Sequence, residues 1–167
     1  MAKVWGLASV LIGAIAVDGG MGTTLTEVLG ATVKGTATLT STAPETAEIE
    51  IEESDDLYDE IVTKAGAWTL AASTYNVSAL TMQKFFGGNV VAGVWSPPAD
   101  GLSVTVKQSV VAETRTGIKF NFVNMSLVGT AEFAFDKTRL GQINWTGKVL
   151  KAEKAATPAM SIDFGTV

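Results

Sequence analysis

The chain is 167 residues long with 17% charged and 47% apolar side chains, and it carries a net charge of −5. It has no cysteine, which excludes disulfides and thiolate metal sites, and no histidine, which removes the commonest general base and metal ligand. Charge is well below the roughly 25% of ordinary globular chains, so part of the surface is expected to be covered by another protein chain.

Met1-Ala2-Lys3 and the apolar run VWGLASVLIGAIA resemble a secretory signal, with Ala14-Ile15-Ala16 as a cleavage site. The run is too short for a membrane span of about 20 residues. The alternative is a buried strand, favoured by the single lysine and by Trp5, Gly6 and Gly13 within the run. Residues 9–17 then form a first strand, followed by the glycine loop Asp18-Gly19-Gly20-Met21-Gly22. Thr36–Thr42 alternates Thr with small or apolar residues, as a half-exposed strand does.

Pro44 ends that strand, and an acidic strand, Ala47–Glu53, follows as its expected hairpin partner. Nine of the seventeen acidic residues fall between Glu45 and Glu60, and no base interrupts the chain between Lys34 and Lys64. Alternation places Glu48, Glu50 and Glu52 on one face and Ile49 and Ile51 on the other. Ser54-Asp55-Asp56 reads as a turn, and Leu57–Thr63 fits a short strand or one helical turn equally.

Trp68–Tyr75 alternates again. A short helix is expected at about 78–86, capped by Ser78, with Leu80, Met82, Phe85 and Phe86 as its core stripe and Gly87 as its stop. Strands resume over 88–95, 102–112, 132–135, 143–152 and 160–164, and Ile118, Phe120 and Phe122 share one strand face. Together these elements predict a mainly β fold, a sandwich or barrel with one short flanking helix, in a single domain over 1–167 whose residues 1–12 are an arm or the first strand.

The acidic cluster lacks the ligand spacing of a calcium loop, and no aromatic sugar platform accompanies it. No nucleophile elbow, phosphate loop or dinucleotide fingerprint is present. A non-enzyme without cofactor, metal or catalytic residues is expected. Arg115, Lys119, Phe120 and Phe122 only weakly echo a nucleic-acid surface, and an isoelectric point near 4.7 opposes one. Residues 1–106 carry four basic and twelve acidic side chains, residues 107–167 eight and five. Opposite halves of this kind can meet head to tail between copies, making rings or filaments.

The order of features resembles the major tail tube proteins of long-tailed bacteriophages. The resemblance runs from Gly13 to Gly165: GAIAVDGGMG, then TATLTSTAPETAEIEIEESDDLYDEIVTKAG, AWTLAAS, SALTMQKFFGG and INWTGKVLKAEKAATPAMSIDFG. It implies rings of six copies that stack into a hollow tube in the virion tail, made in the host cytoplasm. Its partners would be itself, other tail components and DNA passing without specific binding, with no membrane. It implies an acidic lumen, for which Glu48, Glu50 and Glu52 are candidates. It also implies an inter-subunit or inter-ring loop, for which Glu53, Asp55, Asp56, Asp59 and Glu60 are candidates. The alternative function is a secreted or surface adhesion module, pilus-like, with its first 16 residues removed.

Overall fold

The computed structural model describes residues 3–27, 29–52, 54–99, 101 and 105–165, the side chains of Glu27, Ser54, Asp55 and Asp56 excepted. In chain order the elements are β1 (Leu7–Gly13), β2 (Thr26–Glu27), β3 (Thr38–Ser41), β4 (Glu45–Ile51), β5 (Ser54–Lys64) and β6 (Trp68–Thr74). There follow α1 (Ala79–Phe86), β7 (Asn89–Val91), β8 (Val94–Ser96), β9 (Val106–Thr114), β10 (Lys119–Glu132), β11 (Gln142–Leu150) and β12 (Met160–Asp163). The protein is mainly β with one short helix, as its alternating pattern predicts.

Among the described residues, eight strands form one antiparallel sheet in the order β2-β1-β9-β10-β11-β6-β3, with β12 paired to the first part of β10. The sheet curls into a half-barrel. Alternate strand residues enter one core: Val10 and Ile12 from β1, Val110 and Ala112 from β9, Ile143 and Trp145 from β11, Leu70 and Ala72 from β6, and from β10 Phe122 and, past a register shift, Met125 and Leu127. Helix α1 closes this core. Phe85 is 1% exposed and stacks on Trp145 at 5.5 Å between ring centres, while Phe86 meets Trp95 at 6.1 Å. The close approach requires Gly129 in β10, since a Cβ there would stand 2.9 Å from the Phe85 Cβ.

The helix starts as its sequence predicts. The Ser78 hydroxyl accepts from the Thr81 N–H at 3.2 Å, and Gly87, at φ 69°, donates its N–H to the Gln83 carbonyl. The expected stripe needs one correction: Leu80 is 60% exposed, and Thr81 takes the buried place beside Met82, Phe85 and Phe86. At about 100° per residue, positions 81, 82, 85 and 86 share a face that position 80 does not reach.

The N-terminal run is a core strand. β1 lies between β2 and β9, with Val10 and Ile12 buried. It spans 7–13 rather than 9–17 because β9 offers partners only from Leu7 to Gly13, after which the Ala16 carbonyl closes a turn with the Gly19 N–H. Residues 132–135 are not a strand of their own: Glu132 ends β10 and Phe133–Phe135 are loop. The segment 88–95 is a tight hairpin, β7–β8, turning through Ala92 and Gly93 at φ 50° and 82°, a turn whose twist suits paired strands. The expected strand from 102 begins at Val106 among the described residues, and Leu102–Val104 lie outside them.

Candidate assembly surface

The acidic strand pairs with β5 and not, as expected, with the Thr-rich β3. β3 is hydrogen-bonded to β6, and the Thr42 N–H donates to the Ala67 carbonyl at 2.8 Å. The chain therefore leaves the sheet after Ser41 and returns at Trp68, and β4–β5 is a two-stranded excursion between two neighbouring sheet strands. No third strand pairs with either among the described residues. Ser54–Asp56 belong to β5, so the chain is already turning at Glu52, and Leu57–Thr63 is strand.

Register sorts the hairpin into two faces. Ala47 lies opposite Ile61 and Ile49 opposite Asp59; on the other side Thr46 lies opposite Val62 and Glu48 opposite Glu60. One face is thus apolar apart from Asp59, and the other sets two like charges directly across from each other, a destabilising pair. Leu57, Tyr58, Ile61 and Val62 are all exposed, Ile61 by 50%. At the base, Lys64 Nζ meets Glu45 Oε1 at 2.6 Å, an exposed pair that contributes little.

The candidate acidic residues are brought together only in part. Glu48 and Glu50 are exposed on β4, and Glu52 is exposed in the turn, past a register shift between Ile49 and Ile51. Asp59 and Glu60 are exposed on β5, on opposite faces. Glu53 lies outside the described residues, as do the side chains of Asp55 and Asp56.

Pattern reading missed a second surface, at the far end of β6. Tyr75 and Val77 there meet Phe133, Phe135 and Leu140 of the β10–β11 loop around a shallow cleft. All five are exposed, Phe135 by 99%. The loop is held open by Asp136, whose Oδ1 accepts from the Thr138 N–H at 2.6 Å, the Thr138 hydroxyl at 2.7 Å and the Arg139 N–H at 2.9 Å. The hydroxyl first, then the N–H groups, hold this carboxyl below the ordinary aspartate range. The visible signal was D-x-T behind F-A-F, a side-chain-closed turn that follows a strand.

An apolar cleft of about 190 Å³ lies between residues of β1 and β3, walled by Leu7, Leu39, Leu70, Phe120 and Phe122. None of its lining residues is ionisable. Among the described residues no three carboxylates gather as a metal site would require, and no helix is long and apolar enough to cross a membrane. No model of a known protein family matches the chain, and no curated protein matches it either.

Proposed function

We propose that this protein is a structural subunit of the tail-tube type, whose copies join into rings that stack into a hollow conduit for DNA in a phage virion. The observation that carries the reading is the β4–β5 hairpin: two strands that pair with no sheet strand among the described residues, apolar but for Asp59 on one face and bearing Glu48 and Glu60 on the other. An isolated two-stranded hairpin is marginally stable in water. This one adds an unneutralised Glu48–Glu60 pair and exposed Leu57 and Ile61. Docking on a neighbouring copy removes the apolar face from water and leaves the acidic face toward solvent. An acidic face lining a bore repels phosphate, so DNA slides without sticking.

The secreted-module alternative fits less well. Cleavage behind Ala16 would strip β1, with Val10 and Ile12, from the centre of the core. The test is electron microscopy of the purified protein across a concentration series, with sizing by sedimentation. Rings or stacked tubes with a central hole are expected. Protein that stays monomeric at every concentration, even with other tail components supplied, refutes the proposal.

A further inference from the structure

The two exposed apolar surfaces lie at opposite ends of one strand. The hairpin leaves the sheet beside Trp68, the start of β6; the aromatic loop adjoins its finish, since Thr74 pairs with Ile143 just past the β10–β11 loop. Seven strand residues separate them by roughly 23 Å. Their charges also differ. The hairpin bears Glu45, Glu48, Glu50, Glu52, Asp59 and Glu60 against Lys64 alone among the described side chains. The other end carries Lys137 and Arg139 in the loop and Lys34 in the turn that bonds to Ser73 and Tyr75, against Glu132 and Asp136. Arg139 is engaged by Glu132 at 3.3 Å, whereas Lys34 and Lys137 have no ion-pair partner among the described residues.

We propose that the β10–β11 loop, with Tyr75 and Val77, is the receiving site for the β4–β5 hairpin of a second copy, so that copies join head to tail along the direction of β6. The Ala47/Ile49/Ile61 face covers Phe133, Phe135 and Leu140, and Asp59, the carboxylate that shares this face, approaches Lys34 and Lys137. Donor and receiver are different patches at opposite ends, so the contact is heterologous and does not close on itself in a pair; it repeats along an axis. The Asp136 hydrogen bonds order residues 136–139 of the loop before binding, which lowers the ordering cost of the contact. This inference rests on the assembly reading and specifies which surface carries stacking.

The absence of cysteine makes the test direct. Ile61→Cys and Leu140→Cys, both at exposed sites, are mixed and mildly oxidised at concentrations that give assemblies. Disulfide-linked pairs that need both variants are expected. In parallel, Phe135→Ser should raise the concentration for half-assembly about tenfold or more, with unchanged melting, as removal of an aromatic anchor does. Lys137→Glu should raise it as well. Stacked assemblies without the cross-link, or assembly unaffected by Phe135→Ser, would place the receiving site elsewhere while leaving the tube reading intact. Cross-links confined to single rings that do not stack would overturn the head-to-tail direction. Monomers at all concentrations with no cross-link would refute both.

Discussion

The curled sheet and the β4–β5 hairpin are written in the same alternating code and meet opposite fates. In β10 the residues on one face, Phe122, Met125 and Leu127, are fully buried, because neighbouring strands and α1 form a second layer over them. In β5 the same periodicity leaves Leu57 and Ile61 in water, because no described residue covers them. Alternation thus specifies a face to be buried but not the molecule that buries it. The chain's low charge content has a local counterpart in the aromatic loop, whereas the hairpin gathers most of the carboxylates.

The contrast breaks most decisively at the helix. Phe85→Ala should destabilise the isolated subunit by about 3–5 kcal/mol, since a buried aromatic stacked on Trp145 leaves a cavity. Leu80→Ala, one turn away and exposed, should cost under about 0.5 kcal/mol. Equal costs in urea denaturation would mean that the helix does not pack through 81, 82, 85 and 86. Next comes Ser78→Ala, expected to cost about 1 kcal/mol by leaving the Thr81 N–H without its cap. Replacing residues 46–63 by a short glycine-serine turn should change subunit stability least, within about 0.5 kcal/mol, yet abolish assembly. A large loss of stability there would show that the hairpin belongs to the fold rather than to its contacts.

The smallest effect concerns pH. The folded Asp136 carboxyl is depressed, so its contribution to loop order is present above the ordinary aspartate range and is lost as pH falls through the lower folded value. Amide signals of Thr138 and Arg139 should therefore stay native-like at neutral pH and shift only under strongly acidic conditions. Loss of these signals above pH 5 would remove Asp136 as the turn's organiser.

Local rules made much of the fold legible in advance. Ser78 and Gly87 bounded the helix, Ile118, Phe120 and Phe122 marked a core-facing stretch, and the single lysine and the interruptions at Trp5, Gly6 and Gly13 favoured a strand over a signal in the N-terminal run. Pairing was harder. Adjacent strands in sequence usually pair, which made β3 the natural partner of the acidic strand; only β6, nearly thirty residues on, shows that β3 was already taken. The aromatic loop escaped notice because Phe133 and Phe135 alternate like strand residues, while the Asp136 turn that follows them is closed by hydrogen bonds two and three residues ahead.

The Thr42–Ala67 hydrogen bond has a consequence for how such a protein can vary. It stitches the two ends of residues 43–66 together at the sheet margin, so the enclosed sequence is a cassette whose length costs little to change, about 0.6 kcal/mol per doubling. Lineages carrying this sheet could exchange the cassette and so alter the charge and apolar surface it presents without rebuilding the core. The same joint offers an engineer a place to splice a peptide that would repeat at every subunit of an assembled array.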